Sequence, residues 1–345
     1  MNVIELHAKV WLSLQQRRER LPHALLLAGQ KGLGKFDLAR QFAAALLCET
    51  PTADGAACGK CLACNWFAQG NHPDFRLLQP EAMVDEGESE EGKKKASQQI
   101  TIDQVRGLDD FLSVGTHRGG LRIIVVNPTE AMNRSTANAL LKTLEEPAPS
   151  TLFLMITNEP TRLLATIRSR CQLVPVPVPA PALAARVLAD AGVQDADRWL
   201  ALAGGSPLLA VEVATGAGGG QGAWLASMIG KLSDGQKIDP LTAAAELEKS
   251  VKESKGRVLL KHLVEAQQKW LVDLNLAKNG LPVRYFLPHQ ATIAALADAI
   301  PLARLIQSYR TSLRQRQAAE QPLNPRLFLE GVFLDYRALF AKDRQ

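Results

Sequence analysis

Apolar residues follow one rhythm in the first half of the chain and another in the second. Leu25-Leu26-Leu27-Ala28 is a short unbroken apolar run ending at a glycine loop, and Leu38, Phe42, Ala45 and Leu46 then recur at helical spacing. That order reads as strand, loop, helix. Two further continuous runs, Leu121 to Val126 and Leu152 to Thr157, predict buried strands, with a helix between them that starts near Ser135 and stops before Pro147. Upstream, Thr101-Ile-Asp-Gln104 fits a capping box at the head of an amphipathic helix bearing Val105, Leu108 and Leu112. Strands that are apolar on both faces and alternate with helices predict a parallel sheet covered on both sides.

The second half reads as helix alone. Pro175-Val-Pro-Val-Pro-Ala-Pro181 predicts an extended segment that no helix can contain, which closes a first domain over residues 1–177. Gly216 to Gly222 predicts a flexible linker, leaving a short helical domain over 178–217 and a third domain over 218–345. In that third domain Leu259, Leu263, Ala266, Trp270 and Leu274 form one helical stripe, ending at Asn279-Gly280 with Pro282 beyond. Phe328, Val332, Tyr336 and Leu339 form another. Both are read as core, although an oligomerisation face would share the pattern. Glu81 to Lys95, an acidic block followed by three lysines, predicts a disordered surface insertion, solvated rather than a docking tail.

Composition changes this picture little. At 345 residues two or three domains are expected, and a formal charge of +5 is compatible with nucleic acid nearby but modest for the length. No signal pattern opens the chain and no apolar run approaches the ~20 residues that span a bilayer, so a cytoplasmic protein is expected. In a reducing compartment clustered cysteines point to metal or catalysis before disulfides.

The candidate chemistry falls in three places. Gly29, Gly32, Gly34 and Lys35 have the spacing of a phosphate-binding loop, in which backbone N–H groups and a lysine surround phosphate oxygens. The next position should carry a Mg²⁺-binding hydroxyl, and it is Phe36. The strand Leu121 to Val126 should be followed by carboxylates that hold Mg²⁺ and orient water, but Asn127 and Pro128 follow. Glu130 reads as a surface acid near a helix start rather than a displaced base. Cys48, Cys58, Cys61 and Cys64, in the pattern C-x9-C-x2-C-x2-C, supply four thiolates for a closed, structural Zn²⁺ site. A nucleic-acid-reading zinc ribbon is the alternative, for which only Lys60, Trp66 and Phe67 are available. Cys171 reads as a packed thiol. The third place is Arg168-Ser169-Arg170-Cys171, where an arginine at a subunit edge could reach a neighbour's γ-phosphate; by composition alone it is an ordinary surface arginine.

Asn138-Ala-Leu-Leu-Lys-Thr-Leu-Glu-Glu-Pro147 followed by Ser169-Arg170-Cys171 resembles the signature of bacterial clamp-loader AAA+ subunits. The cysteine cluster, the degenerate ATPase motifs and the helical C-terminal domain most resemble the delta-prime branch of that family. The resemblance covers essentially the whole chain, strongest from Leu25 to Cys171. It implies a RecA-like α/β P-loop domain, a small helical lid and an all-α collar that joins subunits into an open ring. It also implies that Arg170 acts in trans at the ATP site of an adjacent gamma or tau subunit. Active members carry a lid arginine in a Gly-Ser-x-Arg context; here the stretch is Gly205-Ser206-Pro207-Leu208, so Leu208 replaces it. Thr157-Asn158 retains a polar sensor position.

The expected function is therefore a non-catalytic subunit that helps load the sliding clamp onto primed DNA. Its expected partners are the gamma/tau and delta subunits, with primer-template DNA reached through the assembly and the clamp indirectly. Structural Zn²⁺ is the expected cofactor, and ATP binding is expected to be weak or absent. An active gamma/tau-like ATPase is the alternative, against which Phe36, Asn127, Pro128 and Leu208 all stand.

Overall fold

The structure, a computed structural model, describes residues 2–83, 97–117, 120–216, 221–254 and 258–341. Most of the acidic insertion, from 84 to 95, and residues 217–220 of the glycine linker lie outside the described residues. The chain divides into two compact units, residues 1–180 and 181–345.

In the first unit α1 (Val3–Leu6) and α2 (Ala8–Gln16) precede β1 (Ala24–Ala28), α3 (Lys35–Leu47), α4 (Leu62–Ala68) and β2 (Phe75–Leu78). There follow α5 (Ile102–Ser113), β3 (Arg122–Val126), α6 (Arg134–Glu145), β4 (Thr151–Thr157), α7 (Ala165–Arg168) and β5 (Gln172–Pro175). The five strands pair in parallel in the order β2-β3-β4-β1-β5. This is the RecA-like P-loop arrangement of AAA+ domains, with β1 in the interior and its following loop at the carboxyl ends of the strands, where such sheets bind ligands.

The unbroken apolar strands are explained by helices on both faces. Leu25 and Leu27 of β1 join Val10, Trp11, Leu14, Leu38 and Phe42 on one side, whereas Ala24 and Leu26 join Val105, Leu108, Leu140 and Leu144 on the other. The expected capping box holds: Gln104 N–H donates to Thr101 Oγ1 (3.4 Å) and Thr101 N–H to Gln104 Oε1 (2.8 Å). Two strands were not anticipated. β2 and β5 are four residues each, lie at the sheet edges and bury only Leu78 and Val174 fully, so neither carries a long apolar run.

The described part of the second unit is helical, as expected: α8 (Pro181–Asp190), α9 (Ala196–Leu202), α10 (Pro207–Thr215), α11 (Gln221–Ser233), α12 (Pro240–Glu253), α13 (Leu260–Lys278), α14 (Gln290–Asp298), α15 (Leu302–Ala318) and α16 (Pro325–Ala338). Both predicted stripes are largely core: Leu263, Trp270 and Leu274 of α13 pack in one cluster with Tyr336 of α16 and Leu339 after it, whereas Phe328 is half-buried at its edge. Gly280, at φ 69°, ends α13 where Asn279-Gly280 was expected to. A polar thread crosses this core, from Trp270 Nε1 to Tyr336 Oη (2.9 Å) and from Tyr336 Oη to the Leu232 carbonyl (2.7 Å).

Asp273, on the same helix, is fully buried. Its carboxylate accepts the backbone N–H groups of Arg284, Tyr285 and Phe286 at 2.8–3.2 Å, fastening the loop after α13. Asp273→Asn keeps one oxygen but turns the other into a donor facing donors. We expect it to lower the unfolding free energy by about 2–4 kcal/mol, the scale of losing charge-assisted bonds and leaving buried N–H groups unmet. Urea denaturation of the two proteins measures this, and a loss below ~0.5 kcal/mol would refute the anchoring role. No helix among the described residues is long and apolar enough to cross a membrane.

Candidate functional site

The phosphate loop leaves the carboxyl end of β1 and closes on the start of α3. Gly32 and Gly34 adopt φ 79° and 78°, the left-handed region that suits glycine, and Gly34 is the N-cap of α3. At Gly29 a Cβ would lie 2.3 Å from the Val176 carbonyl oxygen, where the chain runs beside β1. Lys35 is only 3 % exposed, and its Nζ donates to the Gln30 carbonyl (2.5 Å) and to Asn158 Oδ1 (2.8 Å). From the other side the buried His7 donates from Nε2 to the Leu33 carbonyl (2.6 Å). Phe36 packs against the apolar cluster under β1, with the Arg40 guanidinium 5.8 Å from its ring centre.

Asn158 follows β4 directly, and the pairing of Ala28 with Thr157 brings it beside the loop. Its backbone N–H and its Nδ2 both donate to Glu130 Oε1 at 2.9 Å, while its Oδ1 receives Lys35. The other oxygen of Glu130 is buried with no hydrogen-bond partner among the described residues. Glu130 is thus half-buried within the site, which corrects its reading as a surface acid. The turn Thr129–Ala131 folds it back onto Asn158, a contact across 28 residues that local pattern cannot reveal. Asn127 is buried at the end of β3, donating its N–H to the Leu78 carbonyl, and is joined to Pro128 by a cis peptide bond. The loop offers a cradle and a cation, but neither Phe36, Asn127 nor Pro128 presents a hydroxyl or carboxylate for Mg²⁺.

Burial draws the Lys35 ammonium down to about 8, opposed by the charge of Glu130. An unfolded lysine keeps its proton to about 10.5. Between these values the unfolded chain binds more protons, so raising the pH across that window favours the folded chain. Wild type should therefore gain stability relative to Lys35→Met as pH rises from 8 to 10. Parallel stabilities of the two proteins in chemical denaturation over that range would contradict the shift.

The cysteines form a second, separate site. Cys48 caps the end of α3 and Cys61 the start of α4, and the loop between them carries Cys58 and turns at Gly59 with φ 69°. All four Sγ atoms lie within 4.8 Å of one another, with Cys48 to Cys61 at 3.9 Å and Cys58 to Cys64 at 4.0 Å. A tetrahedron of ~2.3 Å Zn–S bonds has edges of about 3.8 Å, so the donor set fits zinc. Backbone N–H groups of Cys58, Lys60, Cys61 and Cys64 point at sulfur at 3.3–3.4 Å, as suits thiolates. The Thr50 hydroxyl and two of these N–H groups draw Cys58 down to about 6, while burial pushes Cys64 up to about 12. A cation would be needed to hold all four as thiolates together. Trp11, Gln15 and Arg18 brace the loop by donating to the Asp54 and Gly55 carbonyls. Phe67 is buried against Phe75 and Trp66 is half-buried with its edge to His72, so neither forms an open stacking platform for bases.

The Ser-Arg-Cys segment follows α7. Cys171 packs its sulfur 3.4 Å from that of Met155, and burial pushes the thiol up to about 11, as befits the inert packed cysteine expected. Arg170 points the other way. Its Nη2 meets Glu145 Oε1 at 2.6 Å and its Nη1 donates to the Thr166 carbonyl at 2.9 Å. β5 begins immediately afterwards, pairing Gln172 with Leu25, whereas the phosphate loop leaves the far end of β1, where Ala28 pairs with Pro175. The two are separated by the length of the strands, about 10–13 Å at ~3.3 Å per residue. Arg170 is thus not brought to this chain's own phosphate loop. Leu208 is exposed on the first turn of α10.

The family model described as "DNA polymerase III, delta subunit" matches residues 6–179. The DNA polymerase III subunit delta' of Pseudomonas aeruginosa is 36% identical over 348 residues, covering 96% of each chain. That of Escherichia coli is 37% identical over 44% of this chain and 41% of its own length. The crystal structure of a DNA polymerase III gamma subunit-related protein from Thermotoga maritima aligns with 96% of this chain and 99% of its own, at 17% identity and a TM-score of 0.43. Similarity to a delta' relative across nearly the whole of both sequences, with a family match over the sheet domain, makes this chain a member of the DNA polymerase III delta-prime subunit family.

Proposed function

We propose that this chain is a non-catalytic subunit of a DNA polymerase III clamp loader, and that it completes a neighbour's ATP site with Arg170. The observation that carries the proposal is the placement of the two halves of the ATPase at opposite ends of one sheet. At the carboxyl end Lys35 is met by Gln30 and Asn158, and no residue at the Mg²⁺ positions bears a suitable oxygen. At the other end Arg170 is one third exposed on a segment fixed by the core. A guanidinium there is out of reach of this chain's own loop, which supports a site on another subunit, with a gamma or tau subunit as the fitting recipient.

In this reading residues 178–217 act as the lid and 218–345 as the collar that joins the assembly, with the delta subunit as a further partner. DNA and the sliding clamp are engaged through the complex. Zinc held by Cys48, Cys58, Cys61 and Cys64 is structural, because four protein sulfurs fill a tetrahedron and leave no place for substrate. The isolated chain is expected to hydrolyse no ATP. The deciding experiment reconstitutes the loader with Arg170→Ala and measures its DNA- and clamp-stimulated ATPase; unchanged turnover overturns the proposal.

A further inference from the structure

We propose that Glu145 is a positioning residue for Arg170, fixing its guanidinium for the neighbouring subunit. The inference rests on reading Arg170 as a finger acting in trans. Glu145 is the last residue of α6, and Arg170 lies two residues beyond the end of α7. Both ends are tied to the core, through Leu144 and Ile167, each 1 % exposed, and through Cys171 against Met155. Across 25 residues of sequence these anchors bring the carboxylate to 2.6 Å from Nη2, while the Thr166 carbonyl and, at 3.4 Å, Ser169 Oγ take Nη1. Two contacts at different nitrogens fix the plane of the guanidinium as well as its position. Nε has no acceptor among the described residues and is a donor left for a phosphate.

The same pair could be imagined as a latch that withholds the arginine, but its exposure argues otherwise. With side chains 33% and 48% exposed, the ion pair is of the weak, solvent-screened kind. A multiply charged phosphoryl group that meets the Nε donor need not displace so exposed a carboxylate from Nη2. What the pair supplies is order: an arginine free at this surface spreads over many rotamers, and one already aimed loses fewer on docking. Glu145 therefore acts on the rate through Arg170 and touches no nucleotide itself.

The test uses the reconstituted loader carrying Glu145→Ala, Glu145→Gln, Arg170→Ala or the Glu145→Ala/Arg170→Ala pair, with DNA- and clamp-stimulated ATP hydrolysis followed in a single turnover. Glu145→Ala should slow the phase that depends on Arg170 about tenfold with KM for ATP and assembly unchanged, the scale expected for a misaimed catalytic group. Glu145→Gln keeps an acceptor oxygen and should slow it about threefold, since the charge alone is lost. The double variant should be no slower than Arg170→Ala. If Arg170→Ala has no effect, the finger reading and this inference fall together. If Arg170→Ala is slow but Glu145→Ala is normal or faster, or the two losses multiply in the double variant, the positioning role alone is overturned.

Discussion

A loader reconstituted with Arg170→Ala should lose the rapid hydrolysis at the one ATP site this chain would complete, with that step slowed about 10³-fold or more. The magnitude follows from what a guanidinium does at a transferring phosphoryl group: it meets charge that develops in the transition state inside a water-poor interface, where a fixed cation is worth most. Any ATP site that this chain does not complete would be untouched, so the burst of phosphate release should shrink by one site's amplitude rather than vanish. Arg170→Lys should recover little, because an ammonium offers a point charge without the planar fork. Nucleotide affinity should change far less than rate. A burst of undiminished amplitude would show that no site in the assembly depends on this residue.

The second large effect is expected at the cysteines. Protein purified without chelators should carry one zinc per chain, and Cys61→Ala should remove it. Structural zinc binding contributes ~10–16 kcal/mol where an entire peptide folds around the ion. Here the sheet and α3 have their own core, so only the loop from Cys48 to Cys64 and its docking on α2 would depend on a bound metal. We expect a loss of about 3–5 kcal/mol from the first unit and a fall in its Tm of roughly 10 °C. Metal content and calorimetry read the two halves of this prediction. Metal-free native protein, or an unshifted transition in Cys61→Ala, would remove zinc from the account.

The features legible in the sequence were those whose cause is local. The phosphate loop announces itself because glycines and lysine must sit at fixed offsets between a strand and a helix, and Thr101 with Gln104 is visible because a capping box spans four residues. The C-x2-C-x2-C spacing is likewise a property of one turn and one short helix. Contacts between distant segments left no such trace. Glu130 reads as a surface acid until β1 and β4 are paired and Asn158 arrives beside it. That no side chain fits at Gly29, where Val176 passes over it, likewise shows only in the folded chain.

The edge strands were hidden for a different reason. With only Val174 fully buried in β5 and only Leu78 in β2, neither repeats long enough to register as a pattern. That omission hid where Arg170 sits, because the register of β5 on β1 is what puts the arginine at the opposite end from the loop. Asp273 did leave a signal, a carboxylate between Leu271 and Leu274 on a largely apolar helix face. A charge in such a place calls for a partner, and three backbone N–H groups provide it.

The contacts of Lys35 also bear on timing. ATPase subunits keep a clock, in that the arrival and departure of phosphate mark successive shapes. Here the lysine's charge is answered by Gln30, by Asn158 and, through Asn158, by Glu130, groups that belong to the chain and never depart. On the proposed function the domain that carries Arg170 accordingly has no tick of its own, and any rhythm it shows would be imposed by its neighbours.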